Sequence, residues 1–199
     1  MTVSFDPVEL PWRETYKLLT GIITPRPIAW VGTRSAEGVA NLAPFSFFNV
    51  ASPEPPVVFF CPTTSEGRGD KDSLVNAREQ GCFTISMVSR ALADHMNDSS
   101  ASVGPEVDEF GLAGLTPLEG TVVPAPYVAE APAAMECRTV EVRTFGRGSV
   151  VFGEVVAIHV DEEALDGTRV LSGVLDTIGR LCGPDYVTTR DVFRLVRPA

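Results

Sequence analysis

Short apolar runs separated by Gly and Pro dominate the pattern of hydrophobic and polar positions. Six of these runs are rich in β-branched and aromatic residues and span 27–33, 39–48, 55–61, 82–88, 137–145 and 149–160. Runs of this length with Gly and Pro between them are typical of the strands of an antiparallel barrel or sandwich. The segment TFGRGS at 144–149 predicts a hairpin turn that joins the last two runs.

Helical spacing covers less of the chain. It predicts helices over 13–21, over 73–80 with an N-cap at Asp72 or Ser73, and over 91–97, and a fourth could form within 166–176. Strands and helices do not alternate, which argues against a doubly wound parallel sheet. The Pro- and Ala-rich stretch 98–135 predicts a long connection with one short helical turn at 108–115. We therefore expect one mainly β domain over residues 1–199.

The segment NLAPFSFFNVASPEPPVVFF at 41–60 concentrates aromatic and β-branched residues around three polar positions. One interpretation is that the phenylalanines fill the core and the polar residues end a strand. The other is a binding wall for a flat aromatic ligand, which needs apolar faces and a few placed hydrogen-bonding groups. On one continuous strand, alternate side chains face opposite sides, with Ser46 and Phe48 on one side and Phe45, Phe47 and Asn49 on the other.

A lysine stands just before the predicted helix at 73–80. The surrounding segment GRGDKDS at 67–73 is rich in Gly but lacks the GxxxxGK[ST] order of a nucleotide P-loop. The first backbone N–H groups of a helix have no partner within the helix and favour an anion. Lys71, the Ser73 hydroxyl and these amides would together suit a phosphate group. The alternative is an ordinary helix start with a solvated lysine.

Charge and composition narrow the classes of partner. The formal net charge is −10, and the chain has only two lysines, Lys17 and Lys71. A body this acidic repels a polyphosphate backbone, so nucleic-acid binding is not expected. The first residues lack the basic and apolar regions of a signal peptide, and no apolar run approaches the length that spans a bilayer. We therefore expect a soluble, cytoplasmic protein without a membrane partner.

Candidates for catalysis by the side chains themselves are few. The four cysteines form no CxxC pair, and Cys61, Cys82 and Cys137 lie in or beside apolar stretches, so we expect buried, reduced thiols and no metal site. No GxSxG motif occurs, and a nucleophilic triad is not expected. Glu154 lies inside an apolar run, where it is either a buried acid with a raised pKa or a group that faces an Arg or a subunit boundary.

Several motifs, in this order and at this spacing, resemble the flavin reductase-like, FMN-binding split-barrel family, and in particular its flavoredoxin-like branch. The resemblance runs from about residue 19 to 186. The motifs are PRPIAWVGT (25–33), NLAPFSFFNVAS (41–52), KDSLVNAREQGCFTISMV (71–88), DEFGLAGLTP (108–117), ECR (136–138), GEVV (153–156) and GRLCGPDY (179–186).

The resemblance implies a six-stranded antiparallel Greek-key split barrel with added α-helices. It also implies a homodimer that binds FMN without a covalent link near the subunit interface, with NAD(P)H as electron donor. The absence of a Gly-rich dinucleotide fingerprint favours FMN over FAD. Matched position by position, the implied cofactor-binding residues are Trp30, Phe45, Ser46, Phe47, Phe48, Asn49, Ser52, Lys71, Asp72 and Ser73, and the C-terminal motif adds Arg180 and Tyr186 as candidates for substrate binding.

Three functions are compatible with these features. The first is an NAD(P)H-dependent FMN reductase that supplies reduced flavin to a partner monooxygenase. The second is a flavoredoxin-like electron-transfer protein that retains its FMN and passes electrons to a protein partner. The third is a binding module that has lost flavin, against which Lys71 and the intact SFFNVAS segment argue. No catalytic side chain of the protein is expected, because the flavin ring itself carries hydride chemistry.

Overall fold

The structure is a computed structural model that describes residues 1–63 and 69–198, so that Gly67 and Arg68 of the Gly-rich segment lie outside the described residues. The strands are β1 (Arg26–Pro27), β2 (Ala29–Arg34), β3 (Ala40–Phe45), β4 (Phe48–Pro53), β5 (Pro56–Phe60), β6 (Cys82–Met87), β7 (Pro117–Glu119), β8 (Pro126–Val128), β9 (Ala133–Phe145), β10 (Gly148–Val160), β11 (Leu165–Asp166), β12 (Arg169–Val170), β13 (Ile178–Arg180) and β14 (Tyr186–Thr188). The α-helices are α1 (Trp12–Ile22), α2 (Asp72–Glu79), α3 (Ala93–Asp98), α4 (Glu109–Leu112) and α5 (Ser172–Leu175), and short 3₁₀ turns cover Arg90–Leu92 and Glu162–Ala164.

Seven strands form the main sheet, in the order β3-β2-β6-β9-β10-β5-β4. Every neighbouring pair is antiparallel. The sheet curves so that its two ends approach each other. The ring of Phe45 on the edge strand β3 lies 5.1 Å from the ring of Phe60 on β5, which is next to the opposite edge strand. The prediction of a mainly β, antiparallel fold is confirmed, and the main sheet has seven strands where six were expected.

The additional strand is β4, which the sequence pattern divided between the end of an apolar run and a loop. The chain bends at Ser46 and Phe47, and β4 then pairs with β5, with Phe48 opposite Phe60. The predicted alternation of side chains over 45–49 is therefore wrong. Phe45 and Phe48 are both buried in the core, because the bend between β3 and β4 resets which side each residue faces.

Two cores lie on opposite sides of β2 and β3. The inner core joins side chains from all seven strands with Leu74 and Ala77 of α2. The outer core packs Trp30 and Leu42 against Met96 of α3 and Phe110 of α4. This burial on both faces explains why the sequence of β2 is apolar without alternation.

The remaining elements match the sequence pattern in part. Helices α1, α2 and α3, the helical turn α4 and the hairpin between β9 and β10 are confirmed, and Gly146 in that hairpin has a φ of +57°. The N-cap prediction is wrong, because Lys71 occupies this position and its side chain makes no capping hydrogen bond. Segment 166–176 is not one helix, since it contains β12 and the single turn α5. Within the described part of the chain, no helix combines the length and apolar character needed to cross a membrane.

Candidate functional site

Three adjoining clefts meet at Pro44, the last residue but one of β3. The polar cleft, about 270 Å³, lies between the start of α2, the serine-rich segment 99–102 and Glu109. The aromatic cleft, about 170 Å³, is lined by Tyr16, Phe45, Ser46, Phe47, Cys61, Thr63 and Lys71. The arginine cleft, about 130 Å³, is lined by Ile28, Ser46, Met96, Ser100, Arg180 and Tyr186.

Shared residues join the clefts into one candidate site. Lys71 borders the polar and aromatic clefts, Ser46 the aromatic and arginine clefts, and Ser100 the polar and arginine clefts. Most residues expected from the sequence thus come together although they are far apart along the chain. Those that line a cleft are Phe45, Ser46, Phe47, Lys71, Asp72, Ser73, Arg180 and Tyr186.

Trp30 and Phe48 lie in the cores behind the site. Trp30 is fully buried, and its indole Nε1 donates to Ser99 Oγ at 2.9 Å, so it supports the segment that borders the polar cleft. Phe48 belongs to the inner core. A direct contact of either residue with flavin stays a prediction.

Asn49 and Ser52 lie on the edge strand β4, away from the described lining of the three clefts. Their side chains make local hydrogen bonds: Val50 N donates to Asn49 Oδ1 at 2.8 Å, and Glu54 N donates to Ser52 Oγ at 3.2 Å. Asn49 is exposed and Ser52 is half-buried. Their place in a flavin site stays a prediction.

Lys71 brings a positive charge to the point where two clefts meet. Its side chain is exposed, and Nζ lies 6.0 Å from the centre of the Phe45 ring. The N–H groups of Leu74 and Val75 both donate to the Lys71 carbonyl, at 2.9 and 3.1 Å, so the helical bonding of α2 begins there. The earlier amides of Asp72 and Ser73 belong to the partnerless set at a helix start, and both residues line the polar cleft.

A chain of buried polar side chains supports the polar cleft from behind. Asn41 Nδ2 donates to both carboxylate oxygens of Glu109, at 2.9 and 3.0 Å, and Leu42 N donates to Glu109 Oε2 at 3.1 Å. Asn41 Oδ1 accepts from Ser73 Oγ at 2.8 Å and from Thr33 Oγ1 at 3.1 Å. The Ser73 hydroxyl is therefore engaged with the protein.

Acidic groups share the polar cleft with Lys71. Burial raises the pKa of Glu109, the negative charge of Asp72 adds to this increase, and hydrogen bonds from Leu42 and Asn41 oppose it. Asp70, also in the lining, accepts a hydrogen bond from Arg78 at 3.1 Å. Among the described lining residues, an anion in this cleft would depend on Lys71 and the α2 amides, because Asp70, Asp72 and Glu109 repel it.

Two arginines organise the other end of the site. Arg180 donates to the Tyr186 hydroxyl and to the Gly183 carbonyl, across the β13–β14 pair that places Arg180 and Tyr186 opposite each other. Arg26 is buried and donates to the Ile23 carbonyl at 2.7 Å, to the Leu181 carbonyl at 2.9 Å and to Ser46 Oγ at 3.4 Å. Arg26 thus fixes Ser46 between α1 and the C-terminal strands.

Sequence reasoning missed Arg26, Asn41 and Glu109. All three lie within the recognised motifs PRPIAWVGT, NLAPFSFFNVAS and DEFGLAGLTP, and their polar character inside apolar segments was the available signal. The interpretation of Glu154 as a buried acid is wrong, because this residue is exposed on β10. The buried thiols Cys82 and Cys137 are confirmed, whereas Cys61 is half-buried and borders the aromatic cleft, where burial raises its pKa.

Comparison with known proteins decides the family. Residues 22–177, most of the chain, match the family described as the flavin reductase like domain. The chain belongs to this family. The resemblance drawn from the sequence motifs is confirmed.

Solved structures place this flavin reductase-like protein among known relatives. Nitrilotriacetate monooxygenase component B from Bacillus cereus is 33% identical, with a TM-score of 0.93, and the match covers 98% of this chain and 99% of that one. The 2-nitrobenzoate 2-nitroreductase NbaA of Pseudomonas fluorescens is 32% identical, with a TM-score of 0.90 over 98% and 96% of the two chains. Flavoredoxin of Desulfovibrio vulgaris (Miyazaki F) is 26% identical, with a TM-score of 0.74 over 88% and 91%.

Proposed function

We propose that this protein is an NAD(P)H-dependent FMN reductase that supplies reduced flavin to a partner monooxygenase. The observation that carries the proposal is the set of three joined clefts, with Lys71 and the first α2 amides at one end and aromatic side chains beside them. Membership of the flavin reductase-like family and similarity to a protein named as a monooxygenase component support it.

The residues present fit a flavin mononucleotide. Lys71 and the amides of Asp72 and Ser73 would hold the phosphate, because an ammonium and a helix start both favour an anion. Phe45, Phe47 and Tyr16 offer apolar and aromatic surface beside Lys71. The bound flavin would supply the hydride chemistry. One compact locus of positive charge fits one phosphate and favours FMN over FAD.

The remaining predicted residues would act around this cofactor. Ser46, held by Arg26, would offer a hydroxyl between the aromatic and arginine clefts. Arg180 and Tyr186 would border the space for a second substrate, since the arginine cleft adjoins the aromatic one. A guanidinium there suits an anionic nicotinamide dinucleotide.

We test the phosphate locus with Lys71→Ala. FMN affinity should fall by about 1.5–3 kcal/mol, the value of a hydrogen bond to a charged group, or by roughly one to two decades in Kd. Riboflavin, which lacks the phosphate, should bind both proteins nearly equally. Fluorescence titrations with both flavins measure these affinities.

Lys17→Ala is the matched control, because Lys17 is the other lysine of the chain. Its Nζ lies 2.7 Å from Glu14 Oε1 on the exposed face of α1. This variant should bind both flavins as the wild type does. Equal weakening of FMN and riboflavin by Lys71→Ala would show that Lys71 does not contact the phosphate.

A homodimer is part of the proposal. Large apolar side chains are exposed on the two longest strands, Val140 and Phe145 on β9 and Ile158 on β10, which is a surface that an identical subunit would cover. The second subunit would also complete the site near β4. Light scattering at micromolar concentration should give twice the mass of the chain, and a monomer would contradict the proposal.

The alternative is a flavoredoxin-like electron-transfer protein with tightly bound FMN, which the similarity to Desulfovibrio flavoredoxin favours. Desalting the purified protein separates the two hypotheses. Loss of the yellow colour indicates flavin as a substrate, and its retention indicates a resident cofactor. Oxidation of NADH and NADPH, measured with and without added FMN, then tests whether the protein is a reductase at all.

A further inference from the structure

The buried hydrogen-bond chain behind the polar cleft has a fixed direction. Glu109 is 5% exposed and Asn41 7%, and the two are joined through the Asn41 amide nitrogen. An ionised carboxylate can only accept hydrogen bonds, and an amide group has a donor end and an acceptor end. Glu109 therefore forces the donor end of Asn41 towards itself and the acceptor end, Oδ1, towards α2.

The orientation of Asn41 determines where the Ser73 proton goes. Asn41 Oδ1 accepts from the Ser73 hydroxyl at 2.8 Å and from Thr33 Oγ1 at 3.1 Å, and Thr33 Oγ1 in turn accepts from Asn76 Nδ2 at 3.1 Å. A hydroxyl has one proton. With this proton donated to Asn41, Ser73 has only lone pairs left for a ligand in the polar cleft.

We propose that Glu109 is a positioning residue that keeps FMN affinity low by withholding the Ser73 hydroxyl proton from the flavin phosphate. The phosphate is then bound by Lys71 and the α2 amides without the Ser73 hydroxyl as a donor. A weakened hold on the phosphate suits a flavin that must leave the protein as a reduced product. This inference rests on the proposed function.

The exchange Glu109→Gln reverses the chain. Leu42 N should keep the Gln oxygen at the position of Oε2, which puts the new amide nitrogen where Oε1 now accepts from Asn41 Nδ2 at 2.9 Å. Two donors would then face each other, and we expect the Asn41 amide to turn and present Oδ1 to this nitrogen. Asn41 Nδ2 then donates to Ser73 and Thr33, and the Ser73 proton is free to point into the cleft. The variant should gain a hydrogen bond to the phosphate.

The experiment compares the ratio of FMN to riboflavin affinity in four proteins: the wild type, Ser73→Ala, Glu109→Gln and the double variant. Ser73→Ala should leave the ratio within about twofold, because the hydroxyl donates to Asn41 and not to the ligand. Glu109→Gln should raise the ratio by roughly tenfold, as for a hydrogen bond to a charged group.

The double variant separates the proton from the charge. Loss of the Glu109 charge alone favours an anion, and this part of the gain should persist in the double variant. The part that comes from the Ser73 hydroxyl should disappear, so the ratio should fall between the wild-type value and that of Glu109→Gln. A merely structural role of Glu109 would weaken both flavins equally and leave the ratio unchanged.

Two results would overturn the inference. One is a tenfold loss in the ratio for Ser73→Ala in the wild-type background, which would show that Ser73 donates to the phosphate; this variant decides the matter even if Glu109→Gln does not fold. The other is the same ratio in Glu109→Gln and in the double variant. If the wild type does not bind FMN, or if Lys71→Ala has no effect, the proposed function itself fails.

A measurement without flavin provides an independent test. In ¹H–¹⁵N spectra of the apo protein, both side-chain amide protons of Asn41 should shift on Glu109→Gln, because their acceptors change from carboxylate to hydroxyl oxygens. Unchanged Asn41 amide signals would contradict the reversal.

Discussion

Glu109 and Glu136 are both buried, with 5% and 0% of their surface exposed, yet their surroundings move the pKa in opposite directions. Burial raises the pKa of Glu109. Burial would also raise that of Glu136, but hydrogen bonds from Thr121, Val123 and His159 outweigh it and lower the pKa to about 2.

The number of donors accounts for this difference. Glu136 accepts from the N–H groups of Thr121, Val122 and Val123, from the Thr121 hydroxyl and from His159 Nε2, all at 2.7–2.8 Å. Glu109 accepts only from Asn41 and Leu42 among the described hydrogen bonds, at 2.9–3.1 Å. A buried charge is stable only when its hydrogen-bonding capacity is filled.

The two glutamates therefore serve different ends. Glu136, on β9, ties the segment 121–123 to the sheet, and its bonds leave no oxygen for a ligand. Glu109 lines the polar cleft and uses its oxygens to set the direction of one amide. The comparison teaches that a buried acid can act as an anchor or as an orienting group, and that the donors around it decide which.

The largest effect should come from Glu136→Gln. The new amide nitrogen would face N–H donors that now bond a carboxylate, and the loss should lower the free energy of unfolding by about 3 kcal/mol. Chemical denaturation at neutral pH measures it. Glu154→Gln, an exposed glutamate on the neighbouring strand β10, is the control and should change little. Equal stability of Glu136→Gln and the wild type would remove the distinction between anchor and orienting group.

The free energy of unfolding at acid pH should sharpen the comparison between Glu136 and Glu109. The folded pKa of Glu136, about 2, lies below its ordinary value of 4.5, so its ionised form stabilises the folded state. That contribution is fully present above 4.5 and is lost as the pH falls towards 2. The stability difference between the wild type and Glu136→Gln should shrink over this window, by about 2 kcal/mol. Denaturation curves at several pH values between these limits measure it; a constant difference would contradict the lowered pKa.

The smallest effect should come from Glu109→Gln. Its folded pKa is raised above 4.5, so the contribution of this group to stability is present below 4.5 and is lost as the pH rises through the folded value. The exchange should cost less than about 1 kcal/mol at neutral pH. The variant should gain stability relative to the wild type as the pH rises above 4.5, a slope opposite in sign to that of Glu136→Gln. The same denaturation series tests both signs.

The other strands of the main sheet were predictable from sequence because each lies in a compact apolar run with Gly or Pro nearby. The strand β4 was not, because its residues Asn49 and Ser52 have polar side chains on an exposed edge and its pairing with β5 is a long-range property of the sheet. The short strands were missed as well: β7 and β8 lie in the stretch 98–135, which was predicted as a connection, and β11 to β14 have only two or three residues each. Segment 166–176 has helical spacing, but its first part pairs as β12 with β11 and only the single turn α5 is helical.

The candidate site could also be predicted only in part, because the sequence shows local motifs but not long-range contacts. Lys71 and the aromatic residues around Ser46 belong to local motifs with visible chemistry, and the structure brings them to adjoining clefts. Glu109 and Asn41 are 68 residues apart, and nothing local shows that a single amide joins them. Trp30 illustrates the converse, since its motif was recognised but its burial depends on α3 and α4 packing over β2.

The two tryptophans give the molecule a pair of separable optical signals. Trp12 is 46% exposed and lies under the guanidinium groups of Arg13 and Arg147, at 5.3 and 4.8 Å from its ring, so an anionic quencher such as iodide is drawn to it. Trp30 is sealed from solvent and bonded to Ser99 at the wall of the polar cleft. Iodide should therefore quench the fluorescence of Trp12 and leave that of Trp30. The remaining fluorescence then comes from a single indole that lies behind the wall of the polar cleft.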